Sequence, residues 1–110
     1  MKQAITNIRE LLEGKEFGSL VTDTTIRAAF ERHLEVLSEA SRHVPEEWKG
    51  EYATVPWRQI ADLGNTVRHT YHKIDLQILW TIYQEELDFL ESVVDDLLEK
   101  ARLEEPPAGQ

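Results

Sequence analysis

Residues 75–103 read DLQILWTIYQEELDFLESVVDDLLEKARL. Leu76, Leu79, Trp80, Tyr83, Leu87, Leu90, Val94, Leu97 and Leu98 recur every three or four positions, the period of a helix and not of a strand. Acids and amides fill the intervening positions, as on a solvated face. Asp75 is placed to cap the start, because a short carboxylate accepts hydrogen bonds from the unpaired N–H groups of a first helical turn. A single amphipathic helix cannot bury its own stripe, so other helices must cover it. The predicted fold is therefore all-α: an up-and-down helical bundle of about four main helices with a long C-terminal helix. That last helix is longer than a compact bundle needs, so its C-terminal half is expected to pack on a partner subunit.

The upstream chain supplies the covering helices. Ile5, Ile8, Leu11 and Leu12 predict a first helix from Met1 to about Glu13, ended by Gly14. Residues 17–21 read as a short connector whose Phe17 and Leu20 tuck into the core. Thr22 or Asp23 caps a second helix from Thr24 to about Val44, with Ile26, Phe30, Leu34, Leu37 and Val44 as its apolar stripe and Pro45 as its stop. Residues 45–56 read as a loop, with Trp48 and Tyr52 sealing one end of the bundle. Pro56-Trp57 opens a third helix, where Pro is tolerated because its missing N–H would have no partner. Gly64 falls inside that helix, where it costs about 1 kcal/mol relative to Ala. Close approach of another helix or a ligand would explain it. A break is expected near His72-Lys73. Residues 1–103 form one helical domain on this reading, and 104–110 a disordered acidic and Pro-containing tail.

Composition narrows the function. The chain has 110 residues and 41% hydrophobic content, which suits one domain with a single core. There is no cysteine, hence no disulfide, thiolate nucleophile or thiolate metal site. No apolar run is long enough to span a bilayer, and the first residues lack the apolar core of a signal peptide, so a cytoplasmic location with no membrane partner is expected. The net charge of −9 argues against non-specific nucleic-acid binding over the whole surface, since phosphate affinity needs Lys and Arg. The charge is uneven, however. Residues 52–74 hold one acid, Asp62, against Arg58, Arg68 and Lys73, whereas residues 75–110 hold ten acids against two bases.

That neutral-to-basic island contains Gly64-Asn65-Thr66-Val67-Arg68-His69-Thr70-Tyr71-His72-Lys73. On a helix Asn65 and His69 share a face at i, i+4, and Gly64, Arg68 and Tyr71 run along the neighbouring stripe. The group reads in two ways. It suits a helix C-terminus whose cations complement the dipole. It also holds the chemistry to cleave a phosphodiester: His69 as general acid and base, Arg68 as a fork for phosphate, Asn65 to orient either. His72 and Lys73 would support such a site. No third ligand stands at a matching offset from His69-x-x-His72, so no metal site is expected, and no cofactor motif is present. Without a metal or a covalent nucleophile, the simplest phosphoryl chemistry is RNA cleavage by the substrate's own 2′-OH.

Three further stretches point the same way. The run Ile26-Arg27-Ala28-Ala29-Phe30-Glu31-Arg32-His33-Leu34-Glu35-Val36-Leu37-Ser38-Glu39-Ala40 resembles the second-helix signature of the HepT-like branch of the HEPN superfamily. Val55-Pro56-Trp57-Arg58-Gln59-Ile60-Ala61 resembles its entry to the third helix. His69-x-Tyr71-x-x-Ile74-Asp75, followed by Ile78-Leu79-Trp80, resembles its His-x-Tyr motif and the start of the next helix. The resemblance implies an all-helical homodimer with a shared cleft, the toxin of a toxin–antitoxin pair, and metal-independent RNase activity. It also implies a nucleotidyltransferase antitoxin that silences the toxin by adding AMP to a motif Tyr. His69 matches the catalytic His, Tyr71 the AMP acceptor, and Asn65 the polar residue after the motif Arg. The motif Arg itself falls on Gly64, a departure that leaves Arg68, one turn later, to supply the cation. A second class of function is a non-catalytic HEPN-fold binding module that docks the nucleotidyltransferase.

Overall fold

The computed structural model describes the backbone of residues 1–68 and 73–104 and the side chains of residues 1–67 and 76–103. The described elements are all helical: α1 (Lys2–Leu12), α2 (Phe17–Thr22), α3 (Thr24–Ser41), α4 (Glu46–Glu51), α5 (Trp57–Arg68), α6 (Lys73–Thr81) and α7 (Leu87–Glu104), with a π-helical turn (Ile82–Glu86) joining α6 to α7. The all-α bundle read from the sequence is what the chain forms. Its core gathers Ile5, Ile8 and Leu12 of α1, Phe30, Leu34 and Leu37 of α3, Ile60, Leu63 and Val67 of α5, and the apolar face of α6 and α7.

Helix boundaries follow local chemistry. Gly14 adopts φ +72° just past α1, a conformation that costs glycine nothing, and the Lys15 N–H donates to Leu12 O at 2.9 Å. Asp23, of the two expected caps, starts α3: its Oδ1 accepts from the N–H groups of Thr25 (3.0 Å) and Ile26 (3.2 Å). The α geometry of α3 stops at Ser41, short of the expected Val44. The chain then winds on in tighter i→i−3 bonds from Arg42, His43 and Val44 before Pro45.

Two segments expected as connector and loop are short helices, α2 and α4. Each is under two turns, and both dock by aromatic side chains. The Phe17 ring of α2 lies 6.2 Å from Trp80 of α6, and Lys100 of α7 sits 5.5 Å above the Trp48 ring of α4. The Trp57 indole N–H, at the start of α5, donates to Tyr52 O at 3.2 Å and fixes the turn between α4 and α5.

The long C-terminal helix is present but not uniform. Across the π-helical turn the ladder takes in one extra residue, which rotates α7 about its axis relative to α6. Trp80 and Tyr83 pack at a tilt with ring centroids 5.1 Å apart, and Tyr83 meets Phe30 edge-on at 6.5 Å. Beyond the turn the buried face is Leu87, Leu90, Val93, Val94 and Leu97, while Leu98, expected in the stripe, is 52% exposed. α1 lies antiparallel against this helix. Lys2 reaches Glu91 (2.9 Å) and Asp95 (3.0 Å), and Arg9 reaches Asp88 and Glu91 (3.1 Å). The carboxylates hold the Lys2 ammonium and the Arg9 guanidinium above their ordinary pKa, through hydrogen bonds to Glu91 and Asp88 respectively.

Candidate active site

The motif read from the sequence occupies the C-terminal end of α5 and the chain leading into α6. Asn65 is exposed on α5, one residue past Gly64. The backbone of Arg68 closes α5 and that of Lys73 opens α6. His69, Tyr71 and His72 lie outside the described residues, as do the side chains of Arg68 and Lys73. Among the described residues no group of three or more His, Asp or Glu side chains could hold a metal ion, and no helix is long and apolar enough to cross a membrane.

Gly64 has a structural reason to be where it is. It is buried at the crossing of α3 over α5, and its N–H donates to the Ser38 hydroxyl at 3.2 Å. That hydroxyl in turn donates to Ala61 O at 2.8 Å, so one serine of α3 is wedged into the hydrogen-bond ladder of α5. Ser38 is 2% exposed. A second buried serine, Ser41, donates to Ser38 O at 2.6 Å and keeps the contact narrow with small side chains. Arg42 adds a second donor to Ala61 O at 2.8 Å from the solvent edge. The close approach of a second helix, one of the two explanations read from the sequence, is therefore found at Gly64.

Beside this crossing lies a polar cleft of about 210 Å³, lined by Arg32, Glu35, Ser38, Glu39 and Arg42 of α3 and by Gly64 of α5. Along its wall Arg32 and Glu35 are 3.5 Å apart, and Glu39 pairs with His43 outside the cleft at 3.6 Å. Glu39 is exposed. On the same helix the Glu31 carboxyl is pushed above its ordinary pKa by burial, with Arg27 pulling it down and Glu35 raising it further. Sequence reading singled out the α5 side of this region and missed the α3 side. The signal was present: Arg32, Glu35, Glu39 and Arg42 stand at i, i+3, i+7 and i+10, one charged stripe on a helix otherwise read only for its apolar face.

Comparison with known proteins bears on this arrangement. A curated protein of Caldanaerobacter subterraneus subsp. tengcongensis named "Putative RNase" is 31% identical over 93 residues, covering 84% of this chain and 83% of its own. The "Probable ribonuclease HepT" of Thermococcus cleftensis is 28% identical over 95 residues, 86% of each chain. A "Putative RNase" of Methanocaldococcus jannaschii is 27% identical over 93 residues, 84% of this chain and 85% of its own. No solved structure gave a significant match. The family model described as ribonuclease HepT-like spans residues 1–97, from α1 to the last turns of α7 and across the whole motif, and the chain belongs to that family.

Proposed function

We propose that the protein is a cytoplasmic HepT-like toxin, a homodimeric and metal-independent endoribonuclease of a toxin–antitoxin pair. Its antitoxin is a nucleotidyltransferase that silences it by adding AMP to Tyr71. The observation that carries this reading is the Asn65-x-x-x-His69-x-Tyr71 motif, inside a chain matched to the ribonuclease HepT-like family over residues 1–97. The 2′-OH of the substrate attacks the adjacent phosphorus and the P–O5′ bond breaks, leaving a 2′,3′-cyclic phosphate and a free 5′-OH. The two His69 side chains of a dimer cleft can divide the proton transfers, one accepting from the 2′-OH and the other giving to the departing 5′ oxygen. Arg68 stabilises charge on the phosphate, Asn65 positions it, and His72 and Lys73 add positive charge alongside. An adenylyl group on Tyr71 adds bulk and a negative charge two residues from His69, which blocks the site and repels substrate.

The test is intact mass of the chain purified with and without its neighbouring nucleotidyltransferase, together with RNA cleavage in the presence of a chelator. Mass added in AMP units at Tyr71, with loss of cleavage on modification and in His69→Ala, is the expected result. Cleavage that vanishes with the chelator overturns the mechanism.

A second reading is favoured by one observation. Gly64, at the position of the family's motif Arg, is buried against Ser38 and presents no side chain. On that reading the chain is a non-catalytic HEPN-fold module that docks the nucleotidyltransferase. Stable co-purification with the partner, with no cleavage by the unmodified chain, is its signature.

A further inference from the structure

Among the described residues, the cleft between α3 and α5 is lined by charge from α3 alone. Four charged side chains of α3 stand along it, and α5 contributes Gly64, which fills none of it. Its volume of about 210 Å³ exceeds that of several waters, at about 30 Å³ each, so a phosphate group fits. The charges are not equally occupied. The Arg42 guanidinium is held on Ala61 O at 2.8 Å, and Glu39 faces His43. Arg32 touches Glu35 at 3.5 Å, a long single contact, and its side chain is 71% exposed. A guanidinium has five N–H donors, so Arg32 retains a fork able to take two phosphate oxygens.

Register places Arg32 at the motif end of the cleft. Ser38 bonds Ala61 and Gly64, and Arg42 bonds Ala61, so α3 and α5 run antiparallel. Moving back along α3 from Ser38 to Arg32, a rise of about 9 Å, therefore moves forward along α5 from Gly64 towards its end at Arg68. Arg42 lies in the opposite direction, level with Ala61 and away from the motif.

We propose that Arg32 holds a phosphate of the RNA strand in this cleft, adding from α3 a second guanidinium to that of Arg68 where position 64 of α5 supplies none. The proposal rests on the ribonuclease reading and locates where the strand lies on it. Glu35 then acts as a competitor that neutralises Arg32 until phosphate displaces it. This makes a prediction that a purely structural ion pair does not. If the pair only braced α3, removing either partner would act in the same direction. If Arg32 binds phosphate, the two removals act in opposite directions.

The experiment is fluorescence anisotropy of the full chain with a fully 2′-O-methylated oligonucleotide, which cannot be cleaved, across a salt series. Arg32→Ala is expected to weaken binding about tenfold or more and to reduce the magnitude of the slope of log K against log salt by about one. Glu35→Gln is expected to tighten binding, and Arg42→Ala to change it less than about twofold. Circular dichroism of each variant checks that the helices are intact, and Arg32→Lys covers the case in which Arg32→Ala does not fold: retained charge without the fork gives intermediate affinity. Arg32→Ala and Glu35→Gln both weakening binding, neither changing it, or no binding by the parent chain at low salt would overturn the proposal. Cleavage of unmodified RNA by the parent chain is measured alongside. No cleavage with the opposed binding effects intact sinks the ribonuclease reading and leaves the phosphate seat standing.

Discussion

Ser38 ties the two helices together at their crossing. It gives and receives one hydrogen bond each with the backbone of α5 while almost wholly buried. A buried polar group that loses its partner keeps its own desolvation cost uncompensated, about 1–3 kcal/mol. Ser38→Ala is accordingly expected to lower unfolding stability by about 1–2 kcal/mol, seen as a lower denaturant midpoint at unchanged slope. An unchanged midpoint would mean that the hydroxyl is dispensable at the crossing. Glu31 gives a pH-dependent counterpart. Its carboxyl is held above the ordinary value, chiefly by burial, so the folded state binds a proton more readily than the unfolded chain. The ionised form is therefore a burden at neutral pH and none below the unfolded Glu range, where both states are protonated. Glu31→Gln is expected to raise stability at pH 7, with the gain fading on acidification through the raised folded value down to the ordinary one. A gain that grew on acidification would contradict that sign.

Among the elements, the long periodic ones were legible and the short ones were not. α1, α3, α5 and the C-terminal helix each repeat an apolar stripe over several turns, and repetition is what separates helix from loop in a sequence. α2 and α4 are six residues each, too short to show a period, and their Gly18, Gly50, Phe17 and Trp48 read equally well as turn formers and core plugs. The π-helical turn was hidden for a different reason. Leu97-Leu98 and Val93-Val94 offer apolar residues to either continuation of the stripe, so sequence alone could not choose Val93 over Leu98. The α3 stripe went unread because charges at helical spacing are the ordinary signature of a solvated face. α1 offers the clearest test of how the elements share the core. Ile8 is fully buried on α1, which packs against α3 and α7, and its truncation leaves a cavity in the core. Ile8→Ala is expected to cost about 2–5 kcal/mol, a large share of the stability of a domain this size. A loss below about 1 kcal/mol would show α1 to be a loosely held flap.

At the scale of the molecule, the shape follows from the C-terminal helix. From Lys73 to Glu104 the chain runs in one direction through α6, the π-helical turn and α7, about 48 Å at the rise of a helix, and the bundle measures 51 × 24 × 21 Å. The core covers one face of that rod, from Leu76 to Leu97, and leaves apolar side chains on another. Ile78 (52% exposed) and Phe89 (49%) flank clefts between α5 and this rod that are walled by Pro56, Ile60, Leu63 and Ile82. Large apolar side chains gathered at a groove favour burial against another surface. On the homodimer reading that surface is a second copy, and light scattering after size exclusion is expected to give twice the chain mass of 12.8 kDa. Because the contact would be apolar, the dimer should persist as salt is raised, when pairing of exposed charges is screened. Introducing charge at both positions, Ile78→Glu with Phe89→Glu, adds to a chain already at −9 and sets carboxylates where apolar surface would be buried. The double variant should therefore run as a folded monomer with its helical circular dichroism intact, since neither residue belongs to the core of one chain. If it remains a dimer, the second copy sits elsewhere on the bundle. If the parent chain is itself monomeric at every concentration tested, catalysis cannot use two His69 side chains across a shared cleft, and one protomer's His69 would have to pass both protons in turn.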